Sequence, residues 1–207
     1  MLTVHRMIFG PISTVYAVRP TPNAGFLEKS STHLKPTAFF DNHDMNRFLF
    51  IANEDPARVK LAALALFTLP GAPIIYYGTE VGVTQERPIH QNTFGIFEEA
   101  RLPMKWGPEQ NSDLYQTFRR LIALRRAHPV LQESRRRLIH LEEQTMAYVR
   151  EAANEQIAVA FNLSPQVRRI FLAGLPLMHD ALNKCPTQAA SNGLWVELPP
   201  MTGAFLV

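Results

Sequence analysis

A cluster of polar side chains directly follows an apolar stretch in the N-terminal part of the sequence. Thr37 to Phe40 are apolar or β-prone, and Asp41-Asn42-His43-Asp44, Asn46 and Arg47 come next. Carboxylate, amide, imidazole and guanidinium groups together donate and accept hydrogen bonds and carry charge of both signs. Such groups are unfavourable inside a core strand, where buried charges need partners. The cluster therefore predicts a strand end that forms part of an active site, as at the C-terminal ends of α/β-barrel strands.

The elements that must position this cluster alternate between strands and helices. The pattern predicts a strand over 37–41, a helix over about 55–69, a strand over 72–77, a long polar loop over 81–111 and a helix over 113–127. Asn53-Glu54-Asp55-Pro56 is typical of a helix start, and Pro70-Gly71 of a helix end. The second strand lacks strict alternation, as parallel strands buried on both faces do. Residues 37–128 therefore predict a βαβα unit with parallel strands.

After about residue 130 the pattern changes to short strands separated by turns. They are predicted over 137–141, 146–149, 157–161, 170–172, 194–198 and 204–207. This spacing is typical of a small antiparallel β-sandwich, and without an acidic cluster we expect it to be structural. The chain thus divides into a poorly readable segment 1–36, an α/β part 37–129 and an all-β domain 130–207.

Composition narrows the class of protein. The chain has 207 residues, 46% hydrophobic and 19% charged, which is typical of a globular protein. Its formal net charge of +3 comes largely from arginines, which predict either a nucleic-acid patch or a solvated surface. We favour the solvated surface and expect no nucleic-acid partner. The arginines in question are Arg119, Arg120, Arg125, Arg126, Arg135, Arg136 and Arg137.

Neither the cysteine content nor the hydropathy of the sequence indicates a cysteine metal site or a membrane-spanning segment. Cys185 is the sole cysteine, so an internal disulfide and a cysteine metal site are excluded, and we expect a buried, inert thiol. No apolar run approaches the roughly 20 residues of a membrane span, so no membrane partner is expected. Met7 to Val18 weakly resembles a signal peptide. A cytoplasmic location is favoured, with secretion as the alternative.

Four segments, in order, resemble the α-amylase family of glycoside hydrolases. Phe39 to Asp44 is similar to the family's seventh-strand motif, and Pro70 to Glu80 to its eighth-strand segment. Arg101 to Trp106 resembles the loop before the last barrel helix, and Leu121 to Pro129 that helix and its exit. The resemblance covers about 37–207. It implies an α/β fold: the seventh and eighth βα units of a (β/α)8 TIM barrel, followed by a small antiparallel β-sandwich domain.

The resemblance also implies roles for single residues. Asp44 corresponds to the family's third carboxylate, which holds sugar hydroxyls and stabilises the transition state, and His43 donates a hydrogen bond to the same sugar. Asn42 and Arg47 complete the predicted substrate-binding set. Arg47 could instead pair with Asp41 or Asp44, while Asp41 and Asn42 are expected mainly to orient the loop. The alternative for Asp41 to Asp44 is a purely structural turn with side-chain caps.

Three aromatic residues near these motifs are expected to be structural. Tyr76 and Tyr77 are predicted to pack within the strand, with a role as stacking platforms as the alternative. Trp106 could offer a face for stacking on sugar, although we favour a buried anchor beneath the loop.

Two essential groups of the family are missing. Retaining glycosidases need a nucleophilic carboxylate and an acid, and the family's Gly-Phe-Arg-x-Asp segment and catalytic Glu do not occur here. We expect a C-terminal portion of an enzyme that acts on α-1,4-glucans or maltooligosaccharides, inactive without a complementary chain from a split, frameshifted or truncated gene. Alternatives are a transglycosylase or trehalose-type member, or a non-catalytic glucan-binding module. No cofactor is expected in this chain, because the ligands of the calcium frequent in this family should lie in the missing half.

An incomplete barrel also has consequences for its strands. Both strands, 37–41 and 72–77, should have open outer edges, which favour aggregation.

Overall fold

The computed structural model describes residues 16–17, 37–91, 94–133 and 136–207. The helices are α1 (Phe48–Ile51), α2 (Pro56–Thr68), α3 (Ser112–Ala127) and α4 (Val130–Glu133). The strands of the first part are β1 (Tyr16–Ala17), β2 (Thr37–Phe39), β3 (Ala72–Pro73), β4 (His90–Gln91) and β5 (Phe94–Gly95). Those of the second part are β6 (Arg136–Leu141), β7 (Thr145–Ala152), β8 (Glu155–Asn162), β9 (Arg168–Ala173), β10 (Thr187–Ala190), β11 (Gly193–Leu198) and β12 (Thr202–Leu206). Across these ranges, no helix combines the length and apolarity needed to cross a bilayer.

β2 and β3 are parallel neighbours, as the βαβα pattern predicts. Thr37 pairs with Ala72, and the Ile74 N–H donates to the Ala38 carbonyl over 2.8 Å. β3 is shorter than the predicted strand, because the chain turns away within Tyr76 to Thr79. β1 pairs antiparallel with β2, so the expectation of an open edge on strand 37–41 is wrong. β3 has β2 as its one strand neighbour among the described residues.

Helix α2 confirms the helix predicted over 55–69. Asp55 is its N-cap, with Oδ1 accepting from the Ala57 N–H over 2.9 Å, and Pro56 opens the first turn. The helix is buried on almost every side from Leu61 to Thr68, because α3 covers one face and β12 another. β12 approaches so closely at Gly203 that an added Cβ would lie 2.4 Å from Leu64 Cδ2.

Helix α3 confirms the prediction over 113–127. Asn111 is its N-cap, and its Oδ1 accepts from the Leu114 N–H over 2.9 Å. Leu114, Phe118 and Leu121 form the buried side of the helix, as their helical spacing predicts.

The second part consists of two antiparallel sheets, in the orders β12-β8-β7-β6 and β10-β11-β9. Their inner faces pack together through alternating residues of the strands. This inner core includes Ala147, Val149, Ala158, Ala160, Ile170, Leu172, Leu194, Val196, Leu198, Ala204 and Leu206. β10 is missing from the sequence prediction, because Thr-Gln-Ala-Ala has little apolar alternation. Cys185 is buried as expected, and burial raises the pKa of its thiol to about 12.

The outer face of the four-stranded sheet packs on the helices of the first part. One continuous cluster joins α2 and α3 to the sheet residues Met146, Tyr148, Ile157, Val159, Phe161 and Phe205. β7 and β8 are therefore buried on both faces, which explains their nearly unbroken apolar sequences.

Two arginines hold the end of α2 at this junction. Arg150 of β7 is fully buried and donates to the carbonyls of Thr68, Val130 (3.2 Å) and Leu131 (3.0 Å). The last backbone carbonyls of a helix have no hydrogen-bond donor within the helix. Arg150 supplies a donor to the carbonyl of Thr68, the last residue of α2.

Arg125 supplies further donors to the same helix end. It donates to the carbonyls of Phe67 (2.6 Å), Leu69 (3.1 Å) and Gly71. Arg125 is half-buried, so its assignment to a solvated surface is wrong.

Candidate functional site

The polar cluster directly follows β2, as predicted, and it forms a turn with side-chain caps, which was the alternative structure for the motif. The Asp44 N–H donates to Asn42 Oδ1 over 2.8 Å, so the Asn42 amide oxygen closes the turn. His43 and Asp44 are both exposed, and His43 Nε2 lies 3.1 Å from Asp44 Oδ2. The structure thus brings His43 and Asp44 together at the C-terminal end of β2, with Asn42 beneath them.

Asp41 anchors this turn to neighbouring parts of the chain through hydrogen bonds. It is buried; its Oδ2 accepts from the Phe48 N–H over 2.9 Å, and its Oδ1 accepts from the Thr79 hydroxyl over 2.9 Å. Burial raises the pKa of Asp41, while the Phe48 bond, the Arg47 charge and the Thr79 bond oppose that rise. Asp41 therefore ties the end of β2 to α1 and to the turn after β3, which confirms its expected role in orienting the loop.

Arg47 lies in a different place from the one predicted for a substrate contact. Its side chain is fully buried, with the guanidinium carbon 4.5 Å from the centre of the Tyr76 ring and 5.1 Å from that of Tyr77. Arg47 Nη2 donates to the Tyr77 carbonyl. A guanidinium in this position does not reach a sugar at the surface, and within the described residues it forms no ion pair with Asp41 or Asp44. We assign Arg47 a positioning role beneath the turn.

The tyrosines enclose Arg47 beyond the end of β3, so the expectation that they pack within the strand is wrong. Gly78 makes room for this arrangement. Its φ is +84°, and an added Cβ would lie 2.8 Å from Arg47 Nη2 and 2.5 Å from Val83 Cγ2.

Arg101 is a site residue that sequence reasoning missed. Its Nη2 lies 3.3 Å from Asp44 Oδ1, and both side chains are exposed. Arg101 opens the segment Arg101 to Trp106 that carries the family resemblance, which is the signal that could have singled it out.

The long loop that carries Arg101 is held by specific hydrogen bonds. Glu99 accepts from Arg87 Nε over 3.0 Å and Arg87 Nη2 over 2.7 Å, and Arg87 holds the pKa of Glu99 below its usual value. The Tyr77 hydroxyl donates to the Leu102 carbonyl over 2.9 Å. These contacts give the loop a defined path above β3.

Two further residues near the site are Trp106 and Glu80. Trp106 is 71% exposed, so its assignment as a buried anchor is wrong. Glu80 is half-buried, and its Oε2 has no hydrogen-bond partner among the described residues.

The chemistry of the site follows from its groups. Asp44 offers a carboxylate flanked by an imidazole and a guanidinium, which can bind neighbouring hydroxyls as acceptor and donors. Neither side chain that contacts Asp44 is a carboxylate, so the described site lacks the pair that glycoside hydrolysis requires. Over the described ranges, no group of three His, Cys, Asp or Glu side chains is placed to hold a metal ion such as calcium.

Comparison with known proteins places these features in context. Residues 23–113 match the family model described as alpha amylase, catalytic domain, and so begin earlier than the expected start of resemblance near residue 37. Alpha-amylase 2 of Dictyoglomus thermophilum is 34% identical over 130 residues, which is 62% of this chain and 23% of that protein. The cyclomaltodextrinase of Thermoanaerobacter pseudethanolicus is 30% identical over 156 residues, or 75% of this chain and 26% of that protein.

A solved structure shows the same fold. The alpha-amylase of Geobacillus thermoleovorans in complex with acarbose has a TM-score of 0.69 at 23% identity, over 82% of this chain and 38% of that one. The chain spans about a quarter of the length of the curated relatives it matches.

Proposed function

Since this chain belongs to the α-amylase family, we propose that it is the C-terminal part of a retaining glycoside hydrolase acting on α-1,4-glucans. In this proposal β2 and β3 are the seventh and eighth strands of a (β/α)8 barrel. The carrying observation is the exposed His43–Asp44 pair at the C-terminal end of β2, 3.1 Å apart and supported by buried Asp41. Active sites of such barrels lie at that end of the strands.

Asp44 and His43 would act by binding the sugar ring on which positive charge develops in the transition state. The Asp44 carboxylate accepts from sugar hydroxyls, and His43 donates to an oxygen of the same residue. Bonds to the ionised carboxylate strengthen as the ring distorts toward an oxocarbenium-like state, which favours the transition state over the bound substrate. Arg101 fixes the orientation of the carboxylate from the opposite oxygen.

The nucleophile and the acid would come from a complementary chain carrying the N-terminal part of the barrel. This partner is supported by the outer side of β3, which has no strand neighbour among the described residues, and by Ile74 directly after β3, which is 48% exposed. Alone, the 207 residues are expected to bind glucan without hydrolysing it.

Calorimetric titration with maltoheptaose tests the binding half of this proposal. Asp44→Asn should weaken binding at least about tenfold, because a hydrogen bond to a charged group is lost. Asp113→Asn is the matched control, since Asp113 is an exposed carboxylate that pairs with Lys60 on the helices. No binding by the unchanged chain, or equal loss in both variants, would contradict the proposal.

A hydrolysis assay tests the other half. The pure chain should release no shorter sugars from maltooligosaccharides, and release that disappears in Asp44→Ala would overturn the proposed incompleteness. A non-catalytic glucan-binding module is the second candidate, favoured because no carboxylate contacts Asp44 in the part of the chain that the structure describes. Mixing with the N-terminal barrel part of a relative separates the two: hydrolysis that depends on Asp44 identifies the enzyme.

A further inference from the structure

Trp106 is the most exposed of the described large apolar side chains, at 71%. An indole exposes much apolar surface, and its contact with water is unfavourable. Trp106 lies in the same loop as Arg101, whose guanidinium contacts Asp44. The exposed indole therefore lies on the same loop as a residue of the candidate site.

The backbone around Trp106 is held on both sides. Lys105 Nζ donates to the Gly82 carbonyl over 2.7 Å, and Gln110 Nε2 donates to the Lys105 carbonyl over 2.9 Å. The Asn111 N–H donates to the Val81 carbonyl over 3.0 Å. A ligand that binds the indole consequently has little loop motion to suppress, which favours affinity.

Trp106 also lies at the same end of the α/β part as Asp44. The loop that carries it follows β3 and leads into the N-terminus of α3, so it belongs to the C-terminal end of the strands. In βα units, the loops at this end gather on one face.

We propose that Trp106 is a stacking platform for a second sugar residue of an α-glucan whose first residue binds His43 and Asp44. A pyranose ring presents C–H groups on its faces, and these are attracted to the negative face of an indole. Its hydroxyls at the ring edge remain free for water and for donors such as Arg101. This inference rests on the proposed function and adds a preference for linked glucose residues over free glucose.

The sequence contains two tryptophans, which allows each to be observed alone. Trp195 is the matched control: it is half-buried in β11, with its ring 5.1 Å from that of Phe171 and 4.8 Å from the Arg169 guanidinium carbon. Trp195→Phe leaves Trp106 as the sole indole, and Trp106→Phe leaves Trp195.

Indole fluorescence with maltoheptaose is the direct test. In Trp195→Phe the emission should shift to shorter wavelength, and quenching by acrylamide should fall at least about twofold, because the sugar covers the ring. In Trp106→Phe neither quantity should change. An unchanged Trp106 signal, with binding that still depends on Asp44, overturns this inference and leaves the proposed function intact.

Calorimetry gives an independent readout. Trp106→Ala should weaken maltoheptaose binding about tenfold, the equivalent of one aromatic contact, and leave the binding of free glucose within about twofold. The melting temperature should stay within about 2 °C, since the side chain is exposed. An equal loss for both sugars contradicts the second subsite. Absence of binding by the unchanged chain overturns the proposed function and this inference together.

Discussion

Asp41 and Asp44 lie in one turn, yet the structure gives them opposite environments. Asp41 is buried and accepts hydrogen bonds from Phe48 and Thr79, whereas Asp44 is exposed beside His43 and Arg101. The resemblance to the family implied different roles for the two residues, loop orientation for Asp41 and a sugar contact for Asp44. The environments of Arg47 and Trp106 were not predictable, because the sequence does not record which side chain a loop buries.

The first prediction concerns this pair of aspartates. Asp41→Ala should lower the free energy of unfolding by about 2 kcal/mol or more, because a buried N–H and a buried hydroxyl lose their acceptor. Asp44→Ala should change it by less than about 0.5 kcal/mol, as exposed substitutions do. Urea denaturation measures both, and equal losses would contradict the distinction.

The raised pKa of Asp41 adds a dependence on pH. Because the folded chain favours the protonated form, the contribution of Asp41 to stability is fully present below its ordinary pKa of 3.8 and falls as the pH rises through the folded pKa. The difference in unfolding free energy between the unchanged chain and Asp41→Ala should therefore shrink as the pH is raised. A difference that grows would show that the pKa is lowered.

Elements specified by local signals were predictable. Asp55 and Asn111 cap α2 and α3, and both helices confirm their predicted ranges. The strand predicted over 72–77 was too long, because Tyr76 and Tyr77 enclose Arg47 and do not extend the sheet. The donors at the end of α2 were not predictable, since its carbonyls accept hydrogen bonds from Arg125 and Arg150 in distant parts of the chain.

The second prediction compares two arginines of the β-domain. Arg150→Met should lower the free energy of unfolding by about 2–4 kcal/mol, because three buried carbonyls lose a charged donor. Arg137→Met removes only an exposed ion pair with Glu151 and should change it by less than about 1 kcal/mol. Denaturation with urea at neutral pH checks both. A neutral Arg150→Met would mean that other groups satisfy the end of α2.

At the scale of the whole molecule, one hydrophobic cluster joins the α/β part to the β-domain. The chain is therefore expected to unfold as one cooperative unit, although the sequence divides it at about residue 130. The composition and motifs could predict both parts. They could not predict the packing between them, because that depends on which sheet face meets α2 and α3.

The third prediction concerns association of the isolated chain. The free side of β3, with Ile74 48% exposed, should cause concentration-dependent self-association in sedimentation velocity. Ile74→Lys should reduce it, because a charge on an edge opposes pairing. Leu177→Lys is the control, since Leu177 is 65% exposed but lies in the β-domain. A soluble monomer that melts in one transition at every concentration would contradict the prediction.

The hydrogen bond from Arg150 to the Thr68 carbonyl also has a consequence for the order in which the chain folds during synthesis. Its two residues are separated by 82 positions, so a ribosome releases the whole of α2 long before it makes the arginine that completes the helix end. A nascent chain halted between α3 and β7 would already contain Arg125 at the Phe67 and Leu69 carbonyls, but the Thr68 carbonyl would lack its Arg150 donor. The C-terminal end of α2 is therefore completed only after β7 has been made, so the final packing of this helix waits for the first strands of the β-domain.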